Sequence, residues 1–206
     1  MANGERGMGR RTANGERRTG NGEWGTSNVE WGMKRRMTGR ASGQSTEIRI
    51  GYIPGLIGRV TELHARYYSA NWNFGVYFES KVAGEMAAFM ARYDPALDRV
   101  WSVLRMGRIH GSLSIDRSGE QENTAHLRWF IMSETLRGTG FGNELISRAM
   151  DFCREQGYAR VYLWTFQGLE QAGHLYHKAG FELVESFPGD QWGTTVPEQR
   201  FEARLL

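Results

Sequence analysis

The sequence predicts a mixed α/β fold around one central sheet. Three observations point there. Short runs rich in β-branched and aromatic residues alternate with segments of helical period. The stretch LRGTGFGNELISRAM, Leu136 to Met150, passes from a glycine loop straight into a helix. The chain of 206 residues is long enough for one well-buried domain and short for two.

The elements follow in order. EIRIGYI (47–53) reads as a short strand closed by Pro54-Gly55. Leu56, Ile57, Val60, Leu63, His64 and Tyr67 then trace a helical stripe. After a loop around Asn71–Asn73, a second helix buries Phe78, Val82, Met86, Phe89 and Met90 and is stopped by Pro95. RVWSVLRM (99–106) and RIHGSLSID (108–116) form a hairpin turning at Gly107. SGEQEN is polar turn material. AHLRWFIM (125–132) is a strand with Leu127, Trp129 and Ile131 on one face and His126, Arg128 and Phe130 on the other. The glycine loop follows, with a helix to about Gln156-Gly157 that buries Phe141, Leu145, Ala149, Phe152 and Cys153. ARVYLWTF (159–166) is a strand. A helix with Leu169, Ala172, Tyr176 and Ala179 along one face stops at Gly180. FELVESF and EQRFEARL close the chain as an antiparallel pair. The order is β-α-α-β-β-β-α-β-α-β-β, an antiparallel meander with parallel pairing after the glycine loop.

Charge separates a tail from this body. Residues 1–46 hold nine Lys/Arg against four Glu, leaving 17 basic and 19 acidic residues in 47–206. The tail repeats ANGER and NGE, has ten glycines, and lacks Leu, Ile, Phe and Tyr. It cannot bury enough apolar surface to offset the entropy of ordering, and it reads as disordered. Two readings of it stay open: a basic arm for nucleic acid or an acidic partner, and a dispensable low-complexity extension. The single cysteine, Cys153, excludes an intramolecular disulfide. No apolar run reaches the roughly 20 residues that span a bilayer, and no secretory h-region opens the chain. These observations predict a cytoplasmic protein without a membrane partner. No metal-ligand spacing joins the histidines, so no metal is expected.

A glycine loop feeding a helix N-terminus is a device for holding an anion, because free N–H groups and the helix dipole converge there. A P-loop would need GxxxxGK[ST], which is absent. A dinucleotide fingerprint would need a third glycine where Asn143 stands. The string is R-G-T-G-F-G, Arg137 to Gly142, or R-x-x-G-x-G. After a strand and before a helix, it resembles the pyrophosphate loop of the GCN5-related N-acetyltransferase (GNAT) superfamily. LYHKAGF, Leu175 to Phe181, is similar to that family's LYxKxGF element. The stretch from Leu127 to Glu185 most resembles the acetyltransferase half of bacterial MarR–GNAT fusion proteins, and the resemblance covers about 47–206.

The resemblance implies a GNAT fold over 47–206 and an N-acetyltransferase using acetyl-CoA, acting by direct attack in a ternary complex. It implies that the backbone of Gly138, Thr139, Gly140, Phe141 and Gly142, with Arg137, binds the CoA pyrophosphate. It implies that the strands flanking the loop splay, so that backbone at Phe130 and Ile131 pairs with the pantetheine arm. It places Tyr176 at the general-acid position; the other reading of Tyr176 is a buried aromatic. It places His126 about where some members carry a basic glutamate, although a solvent-facing strand histidine fits the residues equally; Glu134 is the second candidate. Glu170 stands where the family often has asparagine. The acceptor is expected to be a small or peptide amine, with Trp72, Phe74, Phe78 and Trp192 lining its pocket or forming core. A second copy of the chain is an allowed partner. The rival reading is a catalytically idle acyl-CoA-binding or partner-binding domain whose basic tail carries the function.

Overall fold

The computed structural model describes residues 45–117 and 123–205. The expectations for the tail up to residue 44, and for the 118–122 part of SGEQEN, lie outside the described residues.

Seven strands and four α-helices follow the expected order: β1 (Thr46–Ile50), α1 (Leu56–Trp72), α2 (Val76–Ala91), β2 (Arg99–Arg105), β3 (Arg108–Asp116), β4 (Thr124–Met132), α3 (Phe141–Glu155), β5 (Arg160–Phe166), α4 (Glu170–Lys178), β6 (Glu182–Gly189) and β7 (Val196–Arg204). The strands make one sheet in the order β1-β2-β3-β4-β5-β7-β6. Only β4 and β5 pair in parallel; every other neighbouring pair is antiparallel. The fold is therefore the mixed α/β architecture that the sequence predicts, an antiparallel meander with one parallel pair after the glycine loop.

Two cores cover the two faces. On one, Leu145, Ala149, Phe152 and Cys153 of α3 pack with Trp101, Leu113, Ile115, Leu127, Val161 and Phe181. On the other, Leu56 and Val60 of α1 and Phe78, Val82, Met86 and Phe89 of α2 pack with Val100, Leu104, Trp129, Ile131 and Phe166. The buried positions fall on the predicted stripes, whose members Ile57, Leu63, Tyr67, Met90 and Phe141 are only partly buried.

Local chemistry sets the boundaries. Strand β1 ends at Ile50, three residues earlier than expected, because Gly51 takes φ 84° and turns the chain. Helix α1 runs through Asn71 to Trp72 before Asn73, at φ 57°, turns it off. Met106 and Gly107 both have positive φ, the geometry of a two-residue type I′ turn that suits the twist of β2 and β3. Among the described residues, no helix is long and apolar enough to cross a membrane.

Candidate active site

The site begins where two strands part. Strands β4 and β5 pair only from Thr124↔Arg160 to His126↔Tyr162. Beyond that, β5 continues beside β7 as far as Phe166, while β4 stays with β3. A cleft opens between them, leaving the β5-facing backbone edge of β4 without a strand partner past His126.

A bulge in β4 shapes one wall. Ser112 faces Ile131 and Ser114 faces Arg128, so Trp129 and Phe130 together oppose Leu113. Trp129 sits at φ 49°, strained backbone for a bulky side chain. The extra residue reverses the alternation. Leu127 joins the α3 core, whereas Trp129 and Ile131 join the α1–α2 core, and Phe130 turns back toward Tyr176. The expectation that Leu127, Trp129 and Ile131 share a face is corrected here, as is the grouping of Phe130 with His126 and Arg128. Regular alternation holds only up to the bulge.

The glycine loop lies at the other end of β4. Gly138 and Gly140 have φ 73° and 88°, and Gly140 caps α3. Among the described residues, the N–H groups of Gly138, Gly140, Phe141, Gly142 and Asn143 donate to no acceptor. They form a cluster of donors at a helix start, as an anion requires. The Thr139 hydroxyl is occupied, donating to the Leu136 carbonyl at 2.6 Å. The Arg137 guanidinium rests over the Tyr67 ring at 4.8 Å and reaches Glu134 at 3.9 Å. Gly142 has a separate reason to be glycine. A Cβ there would stand 3.3 Å from Leu175 Cδ1 and 3.5 Å from Phe130 Cζ, so it lets α3 approach α4 and β4. A second cavity, of about 470 Å³, continues from the loop between α3 and α4, with Asn143, Ser147, Arg154 and Lys178 on its walls.

Tyr176, on α4, lines the cleft and is buried among Phe130, Phe181 and Phe201, with ring centroids 5.9–6.2 Å away. Its hydroxyl has no hydrogen-bond partner among the described residues, and burial raises the phenol well above its ordinary pKa. Tyr68 of α1 lines the same cleft; burial first, and then Tyr176, raises its phenol too.

His126 also lines the cleft, with its ring stacked on Tyr162 at 4.2 Å. Burial, and then the Arg128 charge, push its pKa down to about 3, far from the ~6.5 of a free imidazole. Glu134 belongs to a short 3₁₀ turn and is largely exposed, so it is set apart from the α3 start. Glu170 is in the first turn of α4.

The cleft encloses about 290 Å³. Of the four aromatics proposed to line it, Phe78 and Trp192 do so. Phe74, 2 % exposed, is packed behind them against Tyr68, Phe78 and Phe166. Trp72 packs tilted against Tyr67 and Tyr68 and edge-on against Phe166, outside the lining. Trp192 is held over Phe166 at 5.3 Å by its loop. The buried Glu198 carboxylate accepts hydrogen bonds from the Gln191 backbone at 2.8 Å and side chain at 2.6 Å and so fastens that loop.

The sequence did not single out His64, Lys81, Glu85 or Arg128 for the site, yet all four line the cleft. His64 Nδ1 is 2.9 Å from the Val60 carbonyl, and burial lowers its pKa to about 4. The ring is therefore neutral, with Nδ1–H donating and Nε2 left as an acceptor. Lys81 and Glu85, four residues apart on α2, look in sequence like an ordinary solvent-facing pair. Among the described residues, no group of three or more His, Cys, Asp or Glu is placed to hold a metal ion.

The model of the acetyltransferase (GNAT) family matches residues 57–181. The N-acetylaspartate synthetase of Danio rerio is 29 % identical over 121 residues, covering 58 % of this chain and 43 % of that protein. The N-acetyltransferase YjgM of Escherichia coli (strain K12) is 31 % identical over 86 residues, covering 41 % and 52 % respectively. The chain thus spans about half the length of the curated relatives it matches. Among solved structures, a GNAT-family acetyltransferase from Staphylococcus aureus Mu50 superposes with a TM-score of 0.62 at 16 % identity, over 77 % of this chain and 99 % of that one. Salmonella typhimurium yncA, solved with its cofactor acetyl-CoA, superposes with a TM-score of 0.59 at 16 % identity, over 78 % and 95 %. At these identities the superpositions show the shared fold.

Proposed function

We propose that this chain, which belongs to the acetyltransferase (GNAT) family and is an acyltransferase, moves the acetyl group of acetyl-CoA to a primary amine by direct attack in a ternary complex. The observation that carries the reading is the parting of β4 and β5 beyond His126, between a cluster of free N–H donors and the buried Tyr176 hydroxyl.

The diphosphate of acetyl-CoA would accept hydrogen bonds from Gly138 to Gly142, with Arg137 supplying positive charge. The backbone of Phe130 and Ile131 would pair with the pantetheine amides, as an added strand would. The thioester then lies in the cleft. The amine lone pair forms the C–N bond and the C–S bond breaks. The amine loses a proton and the CoA sulfur gains one. Tyr176 stays protonated at neutral pH and donates to the sulfur as charge builds on it. His126 is the proton acceptor on the amine side. With a pKa near 3 it works as a neutral relay to water, not as a proton store. Cys153 supports direct transfer. It is fully buried and its thiol is pushed up to about 12, so it offers no thiolate for a covalent acetyl intermediate.

Within the family we read the chain as resembling the acetyltransferase half of MarR–GNAT fusion proteins and as cytoplasmic, with any nucleic-acid contact confined to the basic tail. Phe78 and Trp192 would meet the body of the acceptor.

Melting temperature tests the cosubstrate. Acetyl-CoA or CoA at about 100 times its Kd should stabilise by ~2.7 kcal/mol, a rise of roughly 5–10 °C for a domain of this size. NADH should produce no rise. No rise with acetyl-CoA or CoA would leave the loop as a simple turn and overturn the transferase reading.

A further inference from the structure

We propose that the amine acceptor is a free α-amino acid with an apolar side chain, its carboxylate held at Lys81 and Arg128. This inference rests on the transferase reading above and names the substrate class of the same cleft.

The charges on the cleft wall carry it. Lys81, Glu85 and Arg128 are the only Asp, Glu, Lys or Arg side chains lining the cleft among the described residues. Glu85 is shared: Lys81 Nζ reaches it at 2.5 Å and Arg128 pairs with it from β4. Asp116 answers Arg128 as well and is itself paired with Arg92, so three cations face two carboxylates and the cluster carries a net charge of +1. The lining imidazoles add none, since both His64 and His126 are neutral near pH 7. Arg128 is fixed by more than Glu85. It reaches Asp116, a fully buried carboxylate, at 3.3 Å and lies over the Trp129 ring at 4.2 Å. A cation anchored in this way keeps its direction without an ordering cost when a ligand arrives.

Three consequences follow for the acceptor. A positive wall attracts a carboxylate and repels a second ammonium, and Glu85 is already engaged twice, which disfavours polyamines. The same field lowers the pKa of a bound ammonium, easing the loss of the proton that attack requires. His126 and Arg128 are two residues apart on one strand, about 7 Å by strand rise. An amine and a carboxylate carried on one carbon can bridge that spacing. The apolar side chain is left for Phe78, Phe166 and Trp192. The cleft, of about 290 Å³, has room for a single amino acid.

The test compares matched acceptors on the full chain. L-Phenylalanine, L-leucine, L-methionine and L-tryptophan are each set against their amides, beside phenethylamine and spermidine. CoA release gives kcat/KM, and the melting-temperature rise each acceptor causes in the presence of CoA gives binding. At least one free acid should exceed its amide by about 30-fold in kcat/KM, as a charge-assisted contact implies. Lys81→Met should cut that ratio about tenfold, and Lys81→Arg should retain most of it. Amides, phenethylamine or spermidine serving as well as the free acids would overturn the proposal and leave the transferase reading standing. If no amine is acetylated, the transferase reading falls. The acceptor assignment falls with it, and the carboxylate site at Lys81 and Arg128 survives only if free acids stabilise the protein above their amides; equal stabilisation overturns that too.

Discussion

Tyr176→Phe should lower kcat by about 10²–10³-fold while leaving the acetyl-CoA-induced rise in melting temperature unchanged. Loss of a positioned acid has an effect of this size. The hydroxyl lacks a protein partner among the described residues, so its removal breaks no structural hydrogen bond. The ring remains to fill the space between Phe130, Phe181 and Phe201. The variant should therefore melt close to the parent and bind CoA equally well, confining the loss to the chemical step. Steady-state kinetics beside a CoA melting series would show this. Turnover within threefold of the parent would remove Tyr176 from the reaction and leave it as a core aromatic. A parent that binds acetyl-CoA yet acetylates no amine would favour the idle-domain reading, with the tail as the working part.

The second large effect is on stability in acid. His64 has an unfolded pKa of ~6.5 and a folded pKa of about 4, lowered first by burial. Between those values the unfolded chain binds the proton that the folded chain refuses. Stability therefore rises with pH through this window and is lost as pH falls from 6.5 toward 4. The loss from this one residue is about 3 kcal/mol by pH 4. His126, lowered to about 3, acts in the same direction. Urea melts from pH 7 to pH 4 should show the fall, and His64→Leu should lessen its steepness by about one proton. An unchanged slope in His64→Leu would mean that the ring is already protonated in the fold.

Much of the fold was legible because its punctuation is local. Gly107, Pro95, Gly157 and Gly180 mark ends that need no tertiary knowledge, and the α3 stripe of Leu145, Ala149, Phe152 and Cys153 is clean. The glycine loop was legible for a similar reason, since its chemistry lies within six consecutive residues. The bulge at Trp129 left no mark. Leu127-Arg128-Trp129-Phe130-Ile131 reads as an unbroken strand, and the positive φ of Trp129 lies where two residues oppose one on β3, which only the pairing reveals. The acceptor wall was hidden differently. Lys81 and Glu85 belong to a helix whose i, i+4 pairs ordinarily face water, and only the arrival of Arg128 from another layer makes them a recognition surface. Of the two readings of Trp72 and Phe74, core packing fits: Phe74 is buried and Trp72 lies outside the cleft lining. An aromatic-rich connection looks like a pocket, but the short link between α1 and α2 turns Phe74 inward to fill a core.

The extra residue in β4 makes the site a matter of parity. Up to Arg128, every second side chain serves one face; from Trp129 onward the assignment is inverted. Ironing out the bulge at constant length would slip everything C-terminal to Arg128 by one residue against β3 and exchange the roles of those side chains. Phe130 would leave Tyr176, and Ile131 would leave the α1–α2 core. Such a slip changes no side chain, yet it would undo the site as thoroughly as removing its tyrosine.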